Sequence, residues 1–244
     1  MIHKIPQRKN IFEAFYNKIS KPISKIIVKT PLTPNQITII SGIFGIVAAN
    51  FLINQTRLDL IYAAVFIQLY TIFDLVDGDI ARIKKMHSHF GKWLDIFFDK
   101  LNDILLILGF SIGVYLRTED IYVLYLGMAL MGLIFFIQFS MIMNSIIFVE
   151  AKRDKGDTNI FEKSHRQDQN NHSSFLHMVR KIIGRHLLLE HSTFLFLISL
   201  FCVIDQTELG LLFITIHALF TKLYIIFSAI YKLRNLENNN VSPG

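Results

Sequence analysis

The sequence predicts an all-α membrane protein: a bundle of six transmembrane helices preceded by an amphipathic surface helix. Three observations lead there. Apolar residues make up 52% of the 244-residue chain, with a mean hydropathy of +0.43. They fall in blocks long enough to cross a bilayer, for which about 20 apolar residues suffice. The polar links between blocks carry basic residues unequally on the two sides. A soluble domain of this length would interrupt its apolar residues at helical spacing. The chain is also too short for a membrane domain plus a large soluble one, so a single membrane domain over 35–233 is expected.

Residues 1–34 read as a juxtamembrane segment. Lys4, Arg8, Lys9, Lys18, Lys21, Lys25 and Lys29 accompany Ile11, Phe12, Phe15, Ile19 and Ile23, which fall close to helical spacing. That pattern suits a helix lying on the membrane surface; a solvated basic tail is the alternative. Pro31 and Pro34 break the segment. Spans are then expected over 35–54, 60–83, 93–116, 121–151, 187–204 and 209–233. The links are 55–59, the polar turn 84–92, 117–120, the long loop 152–186 and 205–208. The second half of that loop, 175–186, has the composition of another amphipathic helix, and the tail 234–244 reads as disordered.

The net charge of +6 would suggest nucleic acid in a soluble protein. Here the basic residues flank apolar blocks, so membrane orientation and anionic headgroups account for them and no nucleic-acid partner is expected. With six spans, both termini share a side with the 84–92 turn and the 152–186 loop. The opposite links hold only Arg57 and Arg117 as basic residues. The positive-inside rule then places the termini and both basic loops in the cytoplasm. The first thirty residues lack the compact apolar core of a cleavable signal peptide. The single cysteine, Cys202, rules out an internal disulfide and lies in an apolar run as a small buried residue.

The second and third spans break the hydropathy pattern. Asp74, Asp77 and Asp79 fall near the cytoplasmic end of one; Asp95, Asp99 and Asp103 fall in the first turns of the other. A charge at the bilayer centre costs roughly 2.5–3.5 kcal/mol on insertion scales, so such residues persist where they face a polar cavity. Asp74 and Asp77 are i,i+3 and share a face, roughly 4.5 Å apart along the axis. Asp95 and Asp99 are i,i+4 and also share one. The short link predicts antiparallel neighbouring helices, with both pairs at one depth. Packed carboxylates repel, and divalent cations remove the conflict. Oxygen ligands suit Mg²⁺, Mn²⁺ or Ca²⁺, and two such ions about 3.5–4 Å apart form a clamp for phosphate chemistry. Gly78 lies where a missing side chain lets a ligand approach the backbone. Arg82, one turn on, can pair with a phosphate or an aspartate. Asp79 and Asp103 lie off the shared pattern and read as supporting polar groups. His87 and His89 read as incidental residues of a solvated turn.

These residues resemble the signature of the CDP-alcohol phosphotransferases (CDP-alcohol phosphatidyltransferases), class I. The pattern is D-x2-D-G-x2-A-R, a spacer, then G-x3-D-x3-D. Asp74, Asp77, Gly78, Ala81 and Arg82 occupy the first half, and Gly91, Asp95 and Asp99 the second. The run Thr33-Pro34-Asn35-Gln36-Ile37-Thr38 is similar to the family's lead-in. The resemblance implies transfer of a substituted phosphate from a CDP-linked alcohol, foremost CDP-diacylglycerol, to an acceptor hydroxyl, releasing CMP in phospholipid biosynthesis. It implies two divalent ions, Mg²⁺ or Mn²⁺, on Asp74, Asp77, Asp95 and Asp99, with Asp99 also deprotonating the acceptor. Gly78, Ala81 and Arg82 would line the CDP site, Gly91 would allow close packing, and Thr33, Asn35 and Thr38 would approach the nucleotide. A homodimer is also implied.

The signature leaves the acceptor open. Arg180, Lys181 and Arg185 lead into the fifth span, where Glu190 follows. Arg180 and Arg185 suit an anionic acceptor such as a polyol phosphate, and Glu190 an acceptor hydroxyl. Membrane anchoring, or pairing of Glu190 with Arg185, explains the same residues. Transfer from a soluble CDP-alcohol is an alternative reading. So are a divalent-cation carrier, disfavoured because the acidic residues gather on one side, and an inactive scaffold, disfavoured because no signature aspartate is missing.

Overall fold

The computed structural model describes residues 11–153 and 191–238. It is all-helical among these residues, with α1 (Ile11–Ile27), α2 (Pro34–Asn54), α3 (Arg57–Ile83), α4 (His89–Thr118), α5 (Tyr122–Arg153), α6 (His191–Val203) and α7 (Thr207–Asn238). Helices α2, α3, the segment Tyr122–Ser140 of α5 and the segment Thr207–Ile230 of α7 are long and apolar enough to cross a membrane. α4 is not among those four: Lys92, Asp95, Asp99, Lys100 and Asp103 crowd its first half. α6 is apolar, with 13 described residues. The expected 152–186 loop and its surface helix lie almost wholly outside the described residues, as do Arg180, Arg185 and Glu190. The tail departs from expectation at its start, because α7 continues to Asn238. No glycine or proline stands in 234–238 to stop it.

The described residues form two compact units. One comprises 11–131 with 191–216, and the other 132–153 with 217–238. In the first unit, α2 is the central post, packing on both α3 and α4. Small residues make the α2–α4 contact close. Gly109 lies against the Ala49 carbonyl, Gly113 against that of Leu52, and Gly42 and Gly45 receive Phe98 and Asn102. Stripes of small residues are how helices approach closely where lipid removes the hydrophobic drive to associate. α3 and α4 do not form a comparable contact. This corrects the expectation that a short link makes them packed neighbours: α2 stands as the shared partner, and the two helices face each other through side chains.

Capping fixes the start of α2. The Thr33 hydroxyl accepts from the Gln36 amide, while the Gln36 side chain accepts from the Thr33 amide, a reciprocal capping box. The Lys84 ammonium at the end of α3 donates to the Thr30 and Leu32 carbonyls at 2.7 and 2.8 Å, pinning the chain just before that cap.

α1 packs on α3 and α6, and its buried face is largely polar: Tyr16, Asn17, Ser20 and Ser24. Phe15 and Ile26 are exposed, as are Lys18, Lys21 and Lys25. Tyr16 donates to Gln68 at 2.6 Å, and Gln68 donates in turn to Ser199 at 2.8 Å, joining three helices. Burial pushes the Tyr16 phenol up to about 12, so it remains a neutral donor. At the other end of the unit, Arg117 meets Asp205 at 2.6 Å, and Gln55 accepts from Thr207 at 2.7 Å.

In the second unit, the buried Lys222 of α7 donates to the Phe136 carbonyl and to Ser140, both on α5, and its ammonium lies over the Phe136 ring. A lysine inside an apolar helix is held by these acceptors and the ring face rather than by water.

Because a side chain at Gly109 would meet backbone, Gly109→Val should lower stability by about 1–3 kcal/mol. Thermal unfolding in detergent measures this, and an unchanged midpoint would show that the α2–α4 contact is looser than described.

Candidate active site

The carboxylates converge across the gap between α3 and α4. One oxygen from each of Asp74, Asp95 and Asp99 lies within 4.8 Å of the other two, so the three could hold a metal ion. All three side chains are half-buried. Helical spacing explains the arrangement: Asp95 and Asp99 stack one turn apart on α4, and Asp74 reaches them from α3.

Asp77 lies outside this group of three. It is buried, and its Oδ2 accepts from the Thr38 hydroxyl on α2 at 2.5 Å. The same hydroxyl is 3.1 Å from the Pro34 carbonyl, a longer contact that its one proton does not serve. Thr38 therefore orients Asp77 from the central post.

Beside the carboxylates opens a cavity of about 430 Å³. Its wall brings together Asn35, Thr38, Asp77, Gly78, Ala81 and Asp95. Gly91 lines it too, while Thr33 and Arg82 do not. Thr33 is instead committed to capping α2. The Arg82 guanidinium extends to Asp79 at 2.6 Å and is 58% exposed, free to swing to another anion. The Ser24 hydroxyl of α1 also lies 3.2 Å from Asp79, but its one proton serves the nearer Ser20 carbonyl at 2.9 Å, so Asp79 is committed to Arg82 rather than to the cluster.

The two glycines differ in what they make room for. A Cβ on Gly91 would come 2.7 Å from Asn35 Oδ1 and 3.0 Å from Ser88 Oγ, so the protein itself needs glycine there. A Cβ on Gly78 would meet only the Arg82 side chain, at 3.8 Å. Protein packing does not require glycine at 78.

Two contributions escaped the sequence reading, and a third residue takes the supporting role expected of it. His87, His89 and Lys92 line the cavity, from the turn after α3 and the first turn of α4. Tyr70 donates to Asp99 Oδ1 at 3.0 Å, and His191 stands against Tyr70. Asp103, expected to support rather than ligate, pairs with His191 and Lys100. The available signal was Tyr70 one turn before Asp74 on the same helix face; nothing local marked His191 as its partner.

Residues 31–221 match the family described as CDP-alcohol phosphatidyltransferase. The chain belongs to that family. A phosphatidylinositol phosphate synthase of Corynebacterium glutamicum is 36% identical over 85 residues, which cover 35% of this chain and 38% of that protein. An archaetidylinositol phosphate synthase of Pyrococcus horikoshii is 29% identical over 113 residues, covering 45% and 58%. The chain thus spans about two-fifths to three-fifths of the length of these relatives. Among solved structures, a Mycobacterium tuberculosis phosphatidylinositol phosphate synthase with CDP-DAG bound superposes with a TM-score of 0.55 at 15% identity, covering 87% of this chain and 94% of that one. The same enzyme in complex with manganese and citrate gives 0.52 at 16% identity, covering 86% and 88%. At such identities the likeness establishes the family's fold.

The glycines differ in what a side chain would meet, so Gly91→Ala should lower the thermal midpoint, whereas Gly78→Ala should leave it unchanged. Thermal unfolding of both variants checks the contrast, and equal shifts would sink it.

Proposed function

We propose that the chain transfers the substituted phosphate of a CDP-linked lipid, foremost CDP-diacylglycerol, to the hydroxyl of an anionic polyol, releasing CMP. The observation that carries this is the convergence of Asp74, Asp95 and Asp99 beside a cavity walled by Asp77, Gly78, Ala81 and Gly91 of the same signature. By their names, the relatives make phosphatidylinositol phosphate or archaetidylinositol phosphate. This favours an inositol phosphate as acceptor and weighs against a cation carrier, an inactive scaffold or a soluble CDP-alcohol donor.

The donor set fits hard divalent cations, since it offers carboxylate oxygens only. Asp74, Asp95 and Asp99 would hold Mg²⁺ or Mn²⁺, with Asp77 as the fourth ligand of a two-ion site. Bound there, the ions would supply positive charge to the diphosphate and to the departing CMP. The chain's own residues do the rest. Asn35, Thr38, Gly78 and Ala81 shape the nucleotide cavity, and Gly91 lets α2 and α4 close at its edge. Arg82 leaves Asp79 to meet a phosphate. Asp99 accepts the proton as the acceptor oxygen attacks phosphorus and the bond to CMP breaks. Arg180, Arg185 and Glu190 would receive the acceptor.

The architecture that suits this chemistry has six membrane-crossing helices, with α4 and the expected span 187–204 joining the four most apolar ones. α1 would lie along the surface, its exposed Phe15 and Ile26 in the headgroup layer beside its lysines. The basic residues place the termini and the active site on the cytoplasmic side. There the lipid tails stay in the bilayer while the nucleotide enters the cavity. The exposed aromatic and aliphatic residues leave room for a homodimer.

Purified protein with Mn²⁺ or Mg²⁺, CDP-diacylglycerol and inositol phosphate should release CMP, and chelation should stop it. Asp99→Asn should reduce turnover at least about 100-fold, as loss of a proton acceptor does, while nucleotide affinity holds. Normal turnover by that variant would remove Asp99 from the role of base.

A further inference from the structure

A line of polar side chains runs from Asp99 away from the cavity. The Tyr70 hydroxyl lies 3.0 Å from Asp99 Oδ1 and 3.2 Å from His191 Nε2. The other ring nitrogen, His191 Nδ1, lies 3.2 Å from Asp103 Oδ1, and the Lys100 ammonium 3.3 Å from Asp103 Oδ2. Tyr70 and Asp103 are each 1% exposed, so water offers them little alternative. The line joins α3, α4 and α6. The transfer chemistry derived above uses none of Tyr70, His191 and Asp103.

Hydrogen-atom bookkeeping gives the line a direction. A carboxylate only accepts, so a bond to Asp103 requires a hydrogen on His191 Nδ1. If Nε2 were bare, the single Tyr70 proton could serve only one of Nε2 and Asp99, and its donation to the nearer Asp99 would leave Nε2 facing the phenol oxygen with no hydrogen between them. With a hydrogen on Nε2 as well, the ring donates to the phenol oxygen and Tyr70 donates to Asp99. Only this second arrangement satisfies both Tyr70 contacts while the ring faces the Asp103 carboxylate at ion-pair distance. A carboxylate that must meet an acceptor hydroxyl with one oxygen gains from having the other held, because misorientation by about an ångström is costly in a reacting pair.

We propose that Tyr70, His191 and Asp103 are positioning residues that hold Asp99 Oδ1 and so aim its other oxygen at the acceptor hydroxyl. This rests on the reading of Asp99 as the base. The bland alternative is a polar tie between three helices.

The test compares Tyr70→Phe, His191→Gln and the double variant in full-length protein with Mn²⁺, CDP-diacylglycerol and inositol phosphate. Each single change should lower kcat by about 10–100-fold, as loss of a supporting hydrogen bond commonly does, while KM for the CDP-lipid and Mn²⁺ affinity stay within about twofold. The double variant should fall no further than the worse single one, because the chain acts as one unit. Full kcat in Tyr70→Phe, multiplying losses in the double variant, or parallel losses of Mn²⁺ affinity and thermal midpoint would each overturn the proposal. Nitrogen-15 histidine spectra give a readout independent of turnover. The His191 Nε2 signal, assigned by its absence in His191→Gln, should move in Tyr70→Phe, and a stationary signal refutes the chain. Wild-type protein silent with every acceptor counts against the functional reading, and the ring-nitrogen signals then decide the chain by themselves.

Discussion

Three carboxylates whose oxygens approach within 4.8 Å cannot stay ionised together in an apolar setting unless positive charge balances them. The rest of the first unit is arranged around that constraint. The aspartates stand on two helices that do not pack on each other, so their carboxylates meet across a gap. Closing the gap with ordinary helix packing would have pressed like charges together with nothing between them.

The gap is kept by α2. Its small residues let α4 come close on one side while α3 packs on the other. Its first turn then delivers Asn35 and Thr38 to the cavity wall. The capping box at Thr33 and the Lys84 bonds to Thr30 and Leu32 fix where that turn begins. A residue that looks like part of the ligand site can thus serve it by setting a helix end, as Thr33 does.

Around the cluster, neighbouring polar groups are paired with one another. Thr38 holds Asp77, Asp79 holds Arg82, and Asp103 holds His191. Buried polar networks of this kind are costly when incomplete and restrict the geometry when complete. Asp79 could be set apart in the sequence because it falls off the i,i+3 face of Asp74 and Asp77. Asp103 could not, since it is i,i+4 from Asp99 and continues that face; its pairing with His191, 88 positions away, is what sets it apart. The buried face of α1 was read by its isoleucines and phenylalanines, yet tyrosine, asparagine and serine are its most buried residues. Hydrophobic periodicity reports where apolar groups recur; it is blind to a polar face that finds partners on another helix.

By itself the sequence determined the helical class, the apolar blocks and the signature aspartates with their helical faces. These follow from local spacing and from the cost of charge in an apolar run. The tertiary structure decided which helix lies between which. It placed α2 as the shared partner of α3 and α4, separated Asp77 from the other three, brought His87 and His89 to the cavity wall, and set Tyr70 against Asp99 with His191 against Tyr70. Those outcomes depend on close contact between residues far apart in the chain, where the fit of small side chains and the satisfaction of buried polar atoms choose the arrangement. No short-range pattern encodes that choice.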